Sequence, residues 1–276
     1  MKGDYSSYWI NLDMFDFQND KIIYNNKNGI EYIQFKKLLD LNITHAYTLK
    51  NESLDFGDNL GIEVQSYEKL FSALGLDIKT LAKPIQTHTE NIRCIDKPKY
   101  RKGLENVDGL ITDKKNITLA TTNGDCILFL FYDPIKKVIA NVHSGWKGTF
   151  QKIAEKTVVK MINYYKCEPK DILCFICPSI RKCHFEVDSD VKELCENIFA
   201  FTNQTEEFIE KGKIKDGKQK YMIDTVYINK ILLKDIGIKE ENIIDCNICS
   251  VCNCEKIASY RVEGKKFKRA TAIIGL

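Results

Sequence analysis

Residues 121–148 carry a thiol and an imidazole toward the same end of a predicted β-hairpin. Two apolar runs rich in β-forming residues flank the segment DPIKK, whose Asp-Pro start is typical of a turn. A turn centred just after Pro134 places Cys126 opposite His143. Opposed residues of an antiparallel ladder have Cβ atoms about 5 Å apart on one face. We therefore expect these two side chains to act together.

Three kinds of chemistry are compatible with a cysteine and a histidine held side by side. The cysteine can be a nucleophile and the histidine its base, as in cysteine amidases and deamidases. The two can also be metal ligands that need a third ligand from elsewhere. The third interpretation is a buried thiol beside a histidine that only bonds the backbone. The strand ends carry Gly and polar residues where a core hairpin would carry aliphatic ones, which favours the first two.

A third metal ligand has few candidates, because the chain contains only four histidines. His88 stands in the polar stretch KPIQTHTENIRCI, just before a predicted short strand, where an exposed imidazole is expected. His45 and His184 are weaker candidates. With His88, the pair Cys126 and His143 becomes a set of two imidazoles and one thiol. Three protein ligands with an open fourth position are typical of catalytic zinc.

The turn SGWKGT, residues 144–149, suggests an anion site. It leads from a predicted strand into a predicted helix, so free backbone N–H groups stand at the helix start with Lys147 beside them. Gly-rich turns of this kind are common and usually serve only the backbone, so the pattern alone is weak.

The run CNICSVCNC, residues 246–254, concentrates four of the eleven cysteines. Its spacing does not match the two separated ligand pairs of a closed zinc site, and iron–sulfur runs have a longer final gap. We expect this run to be a lead-in that positions Tyr260 and Arg261, with the metal bound elsewhere.

The elements that must position these residues show alternating strand and helix patterns. Strands are predicted at 21–24, 30–35, 92–95, 117–120, 126–132, 138–143, 172–177, 221–223 and 269–274. Helices are predicted at 149–166, 191–202 and 226–236, with Thr149 capping the first and Gly237 ending the third. No repeat or Pro/Gly/Ser-rich linker interrupts them. The pattern implies an α/β (α+β) fold in a single domain, 1–276.

Composition excludes several classes of protein. The 276 residues are 44% hydrophobic, enough for a large core, and the net charge of +3 requires no basic face, so no nucleic-acid partner is expected. The longest strongly apolar run, 127–132, is too short to cross a bilayer. The first 17 residues lack the apolar region of a secretory signal. We expect a cytoplasmic protein with free thiols and no membrane partner, and we predict no oligomeric state.

Several ordered motifs resemble one known family across nearly the whole chain. They are AYTLKNESLDFGDN (46–59), QTHTENI (86–92), VDGLIT (107–112), TTNGDC (121–126), VHSGWKG (142–148), CPSIRKCHFEV (177–187), the pair Asp224 and Asn229, and SYR (259–261). The family comprises bacterial and human proteins first described as polyphenol oxidases with a laccase domain, and later as zinc-dependent purine nucleoside phosphorylases. The order and spacing of many motifs, and no single one, carry this resemblance.

The resemblance implies a fold, a metal and a substrate class. The fold would be a mixed β-sandwich flanked by helices in an α-β-β-α arrangement, also seen in the Cys/His deamidase domain of a bacterial toxin. Zn²⁺ would be held by the catalytic residues His88, Cys126 and His143. Substrates would be purine nucleosides and phosphate, with phosphorolysis of adenosine, inosine or methylthioadenosine and hydrolytic deamination of adenosine. The expected substrate-binding residues are Lys50, Asp125, Lys147, Glu186, Tyr260 and Arg261.

Within that set, roles can be assigned to some residues. Asp125 and Glu186 are candidates to shuttle protons, and phosphate would be held by Lys50, Arg261 or the turn 144–149. The chain departs from the family at Lys50 (Arg), Gly124 (Ala), Cys177 (Gly) and Val262 (Arg). Lys for Arg keeps the charge and loses the bidentate fork. These departures concern substrate contacts more than the metal.

Three alternatives stay open. Several coppers would need more imidazoles than four histidines provide, so a multicopper oxidase is hard to build, although one Cu²⁺ at the same site is an alternative. Without metal, Cys126 and His143 would make a cysteine amidase, deamidase or editing hydrolase of peptidoglycan precursors. A non-catalytic partner-binding protein has no positive support in the sequence.

Overall fold

The structure is a computed structural model that describes residues 17–57 and 60–276. The expectation about a secretory signal concerns residues 1–17 and so lies almost wholly outside the described residues. Residues 58 and 59, which close the first family motif, also lie outside them. One domain over 1–276 stays a prediction.

The described strands follow one another along the chain with short connections. They are β1 (Ile22–Lys27), β2 (Ile30–Phe35), β3 (Thr44–Thr48), β4 (Leu81–Ile85), β5 (Ile92–Cys94), β6 (Tyr100–Glu105), β7 (Gly109–Thr112), β8 (Thr118–Asn123), β9 (Ile127–Asp133), β10 (Val138–Ser144), β11 (Leu173–Ile176), β12 (Glu186–Val187), β13 (Ile209–Lys215), β14 (Lys218–Ile223), β15 (Ile243–Asp245) and β16 (Ala270–Gly275).

The α-helices of the described residues lie between these strands. They are α1 (Lys36–Asp40), α2 (Leu60–Leu74), α3 (Trp146–Phe150), α4 (Ile153–Tyr165), α5 (Ser189–Phe199), α6 (Thr205–Phe208), α7 (Thr225–Asp235) and α8 (Tyr260–Glu263). No helix within 17–57 and 60–276 is long and apolar enough to span a bilayer.

Two large mixed sheets form the centre of the molecule. One has the order β1-β2-β3-β16-β8-β4-β6 and the other the order β15-β11-β9-β10-β7-β5. A smaller sheet, β12-β14-β13, lies beside them. Parallel pairs such as β4 with β8 and β5 with β7 occur next to antiparallel ones. The mixed character predicted for the fold is therefore confirmed.

Apolar clusters define the order of the layers. The inner faces of the two sheets meet in a core that includes Leu119 from one sheet and Leu130 from the other. Helix α2 covers the outer face of the first sheet through Phe71 and neighbouring residues. Helices α4 and α7 cover the second sheet, where Met161 packs near Phe131. This is the predicted α-β-β-α arrangement, and covering both faces explains why every residue of β9 is buried.

The hairpin of β9 and β10 has a different register from the predicted one. Val138 pairs with Asp133 and His143 pairs with Leu128, so His143 does not face Cys126. The register shift is two residues, which keeps every side chain on its predicted face because strands alternate with a period of two. Cys126 lies just before β9, outside the ladder.

The predicted helix over 149–166 is two helices. Helix α3 ends at Phe150 and α4 begins at Ile153, because Lys152 between them adopts a left-handed conformation with φ 59°. Thr149 does not cap a helix. It lies inside α3, and its hydroxyl bonds Ser144 Oγ at 3.0 Å. The other two predicted helices correspond to α5 with the 3-10 turn Ala200–Thr202, and to α7, which ends before Gly237 at φ 102°.

Candidate active site

The three predicted metal ligands come from three different segments and meet at one end of the sandwich. His88 lies in the loop between β4 and β5, Cys126 lies just before β9, and His143 lies near the end of β10. Cys126 Sγ is 3.8 Å from His88 Nε2. The rings of His88 and His143 are 4.9 Å apart, edge to face. One ligand atom from each residue lies within 4.8 Å of the other two.

Asp108, just before β7, holds two of these ligands in place. Its carboxylate accepts a hydrogen bond of 2.8 Å from His143 Nδ1 and one of 3.1 Å from the backbone N–H of His88. It also accepts backbone N–H bonds from Thr87 at 3.3 Å and Thr89 at 2.7 Å. With Nδ1 bound to Asp108, His143 presents Nε2 to the other ligands, which is the usual arrangement of a metal-binding histidine.

The loop that carries His88 is held in an uncommon backbone conformation. His88 has φ 62°, in the left-handed region that few residues with a Cβ adopt. The bonds from Asp108 to successive backbone N–H groups compensate for this cost. Sequence analysis did not single out Asp108, although it stands in the motif VDGLIT that contributed to the family resemblance.

The charges of the site favour a thiolate. Burial opposes ionisation of Cys126, but the charge and hydrogen bonds of His143 and His88 lower the pKa of Cys126 to about 6. Burial also opposes the charged form of His143, and the Cys126 thiolate and Asp108 raise the pKa of His143 to about 9. Burial raises the pKa of Asp108, but the hydrogen bond and charge of His143 lower it below the usual range. Cys126 is therefore prepared to act as a thiolate ligand or nucleophile.

Gly145 makes room for the three ligands. A Cβ at this position would lie 2.7 Å from His88 Cδ2 and 3.1 Å from Cys126 Sγ. Its φ of −70° is open to any residue, so the requirement for glycine is steric. The Gly after His143 in the sequence VHSGWKG is therefore a part of the site.

The donor set fits a zinc ion. Zn–S bonds of about 2.3 Å and Zn–N bonds of about 2.0–2.1 Å in a tetrahedron place sulfur and nitrogen about 3.6 Å apart. The observed distance between Cys126 Sγ and His88 Nε2 is 3.8 Å. Two imidazoles and one thiolate leave a fourth position for a water molecule or a substrate.

A cavity of about 350 Å³ opens beside the three ligands. Its volume lies at the lower end of the range for small-molecule sites. Aromatic walls come from Trp146, Phe185, Tyr260 and Phe267. Polar and charged residues of the lining include Lys83, Gln86, Thr122, Asn123, Asp125, Ser144, Thr225, Arg261 and Arg269. The cavity therefore combines flat apolar surfaces with cationic groups.

Comparison with known proteins agrees with these features. Residues 42–276 match the family described as multi-copper polyphenol oxidoreductase laccase. The chain belongs to this laccase-domain family. The resemblance predicted from the motifs is thus confirmed.

Curated relatives of this laccase-domain chain are named purine nucleoside phosphorylases, not laccases. It is 27% identical over 237 residues to purine nucleoside phosphorylase YlmD of Bacillus subtilis, covering 82% of this chain and 81% of that protein. It is 34% identical over 191 residues to a purine nucleoside phosphorylase of Clostridium acetobutylicum, covering 68% and 74%. The human purine nucleoside phosphorylase LACC1 is 30% identical over 216 residues, which are 77% of this chain and 47% of the human protein.

Solved structures show the same laccase-domain fold. Bacillus licheniformis protein YfiH superposes with a TM-score of 0.80 at 26% identity, covering 89% of this chain and 96% of that one. YlmD from Geobacillus stearothermophilus superposes with a TM-score of 0.79 at 22% identity, covering 92% and 98%. The predicted fold class is confirmed.

Asp125 lies in the lining of the laccase-domain cavity with its carboxylate engaged by three donors. It accepts hydrogen bonds from Ser250 Oγ at 2.6 Å, Ser259 Oγ at 2.7 Å and the backbone N–H of Arg261 at 2.7 Å. Its own carbonyl accepts from the N–H of Ile180 at 2.8 Å. This arrangement ties three surrounding segments to the residue next to Cys126.

Tyr260 and Arg261, which the resemblance predicts to bind substrate, also line the cavity. Tyr260 is 52% exposed and packs edge to face on Phe267 at 5.3 Å. The Arg261 guanidinium donates to the carbonyl oxygens of His184 at 2.9 Å and Glu186 at 3.4 Å. A guanidinium has five N–H donors, so these two bonds orient the group and leave capacity for an anion.

Lys50, Lys147 and Glu186 are not in the lining of this cavity. Lys50 pairs with Glu263 at 2.7 Å. Lys147 is exposed and stands over the Trp146 ring at 5.6 Å. Glu186 pairs with Lys215 at 2.7 Å. The structure therefore brings Asp125, Tyr260 and Arg261 to the metal ligands and leaves the other three predicted residues outside the lining.

Proposed function

We propose that the chain is a zinc-dependent purine nucleoside phosphorylase. One observation carries the proposal: the His88, Cys126 and His143 donors lie in the lining of a cavity that also contains aromatic walls and arginines. The relatives named purine nucleoside phosphorylase support the substrate class. When bound, zinc would supply an electrophilic centre and a bound water of lowered pKa.

The aromatic walls suit the purine base. Phe185 is buried, whereas Tyr260 and Phe267 form an edge-to-face pair at 5.3 Å on the wall of the cavity. Aromatic faces of this kind bind flat heterocycles through apolar area and stacking. Phe267 packs so closely over Gly124 that a Cβ there would lie 2.3 Å from its ring. The departure from Ala at position 124 therefore allows this ring to form the wall.

The arginines suit the phosphate. The turn 144–149, which the sequence also suggests for phosphate, reaches the cavity lining through Ser144, Gly145 and Trp146, whereas Lys50 does not reach it. Among the cationic side chains suggested for phosphate, Arg261 is the one in the lining. Arg269 joins it there, with its guanidinium 5.7 Å from the Phe267 ring centre. Two guanidinium groups match the geometry and charge of a phosphate ion. We place phosphate on the Arg261 and Arg269 side, from which it attacks the anomeric carbon of ribose as the bond to the purine breaks.

Asp125 has a positioning role in this proposal. Its carboxylate already accepts hydrogen bonds from Ser250, Ser259 and the backbone of Arg261. It fixes the backbone from which Arg261 reaches the cavity and supports the residue next to Cys126. Deamination of adenosine is the second activity that we propose at this site, in which water adds to the purine carbon that bears the amino group and ammonia leaves.

The test is incubation of metal-quantified protein with adenosine, with and without phosphate. Chromatography separates adenine, inosine and hypoxanthine. We expect adenine and ribose 1-phosphate only with phosphate, and inosine without it. His88→Ala should abolish both, while the exposed Lys147→Ala should retain them. Turnover that survives in His88→Ala would overturn the zinc enzyme, and inosine without adenine or hypoxanthine in the presence of phosphate would overturn phosphorolysis.

A cysteine hydrolase is a second candidate because the pKa of Cys126 is lowered to about 6 beside His143. In that case metal-free protein would hydrolyse amides, and alkylation of Cys126 would stop it. A copper oxidase is tested by the same metal quantification, since it requires copper where the phosphorylase contains zinc.

A further inference from the structure

Four potential metal ligands converge outside the candidate active site. Cys183 and His184 lie in the turn before β12, and Cys249 and Cys252 lie in the loop that follows β15. One ligand atom from each lies within 4.8 Å of all the others. We call these four residues the Cys3His cluster. It shares no residue with the set of His88, Cys126 and His143.

The distances within the Cys3His cluster are those of a tetrahedral zinc site. Cys183 Sγ lies 3.6 Å from Cys249 Sγ and 3.8 Å from Cys252 Sγ. His184 Nδ1 lies 3.2, 3.7 and 3.5 Å from the sulfurs of Cys183, Cys249 and Cys252. Ideal Zn–S and Zn–N bonds give separations of about 3.8 Å between sulfurs and about 3.6 Å between sulfur and nitrogen.

A disulfide does not account for this arrangement. A disulfide holds its sulfurs about 2.05 Å apart. The sulfur separations of 3.6 and 3.8 Å are larger, and the three cysteines are free thiols. One disulfide would also leave the third sulfur and the imidazole without a role. A single central cation explains why all four ligand atoms face the same point.

Backbone hydrogen bonds hold the two ligand-bearing segments together. Ser179 donates its N–H to the carbonyl of Ile248 at 3.3 Å, and its own carbonyl accepts from the N–H of Ser250 at 3.0 Å. The N–H of Asn253 bonds the carbonyl of Cys249 at 3.2 Å, which turns the chain so that Cys252 points back. The frame for the cluster is therefore built into the fold.

We propose that the chain binds a structural zinc ion at a closed four-ligand site formed by Cys183, His184, Cys249 and Cys252. Three thiolates and one imidazole are a common donor set for structural zinc, and four protein ligands leave no position for a substrate. The ligands arrive as two separated pairs, Cys183-His184 and Cys249-x2-Cys252. Cys246 and Cys254 of the same cysteine run are not in the cluster.

The ion would stabilise one wall of the active-site cavity. The backbone carbonyl of His184 accepts a hydrogen bond from Arg261 Nη1 at 2.9 Å, and the next residue, Phe185, lines the cavity. Ser250, between the two ligands of the second pair, donates to Asp125 at 2.6 Å. The proposed zinc thus fixes the segments that position Arg261, Phe185 and Asp125. The proposal stands on its own geometry and does not depend on the reaction at the active site.

Metal stoichiometry tests the proposal. We expect full-length protein, purified without chelator and supplied with Zn²⁺, to hold two zinc ions per chain by elemental analysis. His88→Ala should remove one of them, Cys252→Ser should remove the other, and the double variant should hold none. Cys254→Ser is the matched control, because it changes a cysteine of the same loop outside the cluster, and it should keep both.

Several results would overturn the proposal. The first is a wild type that holds one zinc per chain and loses it in His88→Ala. The second is a Cys252→Ser variant that holds as much zinc as the wild type. Iron in place of zinc, lost with the same variants, would overturn the choice of ion. Because loss of His88 and loss of Cys252 affect different ions, failure here is distinguishable from failure of the proposed enzyme.

A measurement on the wild type avoids variants that fold poorly. Limited alkylation followed by peptide mass spectrometry should show Cys252 and Cys183 protected while zinc is present and modified after its removal. Cys254, which is half-buried in the same loop, should be modified at the same rate in both states. Equal modification of Cys252 with and without zinc, or a disulfide between cluster cysteines in fresh protein, would contradict the site.

Discussion

At the scale of single residues, the Asp108 carboxylate couples two of the proposed metal ligands, His88 and His143. It accepts from His143 Nδ1 and from the backbone N–H of His88, so one carboxylate orients one ring and fixes the loop of the other. In Asp108→Asn, the amide NH2 group would replace a carboxylate oxygen that accepts hydrogen bonds in the wild type. Two donors would then face each other. Partners that orient metal ligands are typically worth 10- to 100-fold in metal affinity.

We therefore expect Asp108→Asn to weaken zinc binding at the active site by about 10- to 100-fold. Competition with a chromogenic chelator measures this affinity. Asp113→Asn is the control, since the Asp113 carboxylate forms an ion pair of 2.9 Å with Lys114 and contacts none of the three ligands. Equal zinc affinity in Asp108→Asn and wild type would show that Asp108 only supports the loop.

The second prediction at the scale of single residues concerns Gly145, where there is no room for a side chain. The Cβ of Gly145→Ala would meet His88 Cδ2 at 2.7 Å and Cys126 Sγ at 3.1 Å, while the backbone conformation stays allowed. Overpacking of this kind costs about 1–3 kcal/mol. Without the ion, the His88 and Cys126 side chains can move aside and relieve this contact. The cost therefore falls on metal binding, so zinc affinity should drop about tenfold or more while Tm of the metal-free protein changes little.

Gly148→Ala provides the matched control for Gly145→Ala. It lies in the same turn and helix, and its added Cβ would come no closer than 3.4 Å to a neighbouring atom. Zinc titration and thermal melts of the two variants should separate a local effect on the ligands from a general loss of stability. Similar affinities in both variants would contradict the steric role of Gly145.

Residue types were enough to predict that His88, Cys126 and His143 come together, because histidine is scarce and Cys126 and His143 flank a recognisable hairpin. The same approach missed Asp108, since one acid among 38 acidic residues has no distinguishing neighbours in the sequence. It also judged residues 246–254 as a single run. The distance of 65 residues between His184 and Cys249 concealed that the two segments meet.

At the scale of elements, the strands that were predicted are correct, but others were missed, including the buried strands β3, β4 and β7. All nine predicted strand segments correspond to strands, from β1 to β16. Short polar strands such as β6 and β12 were missed because their side chains are mostly half-buried or exposed and show no alternation. The break between α3 and α4 was missed because Lys152 adopts φ 59° without a glycine or asparagine to signal it.

The packing of β2 against β3 makes stability depend on pH through His45. Its Nε2 accepts the N–H of Phe35 at 2.7 Å and its Nδ1 bonds the carbonyl of Ile43 at 2.8 Å. Burial lowers the pKa of His45 to about 4. The unfolded chain takes up this proton below about pH 6.5, whereas the folded chain takes it up only near pH 4.

Stability should therefore fall as pH decreases from about 6.5 to about 4, with His45 contributing about 3 kcal/mol of the loss. The His45→Gln variant should be less stable than the wild type at pH 7. Its free energy of unfolding should lack the part of the pH dependence that His45 contributes. Urea unfolding at several pH values measures both curves, and the carboxylates titrate in both proteins. Parallel curves would contradict the assignment to His45.

At the scale of the whole molecule, Asn141 connects the two large sheets through the centre of the core. It lies on β10, fully buried, and its Nδ2 donates to the carbonyl of Leu119 on β8 at 3.0 Å and of Ala272 on β16 at 2.8 Å. Its Oδ1 accepts from the hydroxyl of Thr121. A fully satisfied polar group in an apolar core fixes how the two layers face each other.

Asn141→Leu keeps a similar volume and removes these bonds between the sheets. The Thr121 hydroxyl then loses its partner in an apolar core, so we expect a loss of about 2–4 kcal/mol in the free energy of unfolding. Urea denaturation measures the loss, and Asn163→Leu on the exposed face of α4 should change stability by less than about 0.5 kcal/mol. Adding Thr121→Val to Asn141→Leu should recover part of the loss, because the unpaired hydroxyl is then gone. If the double variant shows the sum of the two single losses, the bond between the Thr121 hydroxyl and the Asn141 amide contributes nothing to stability.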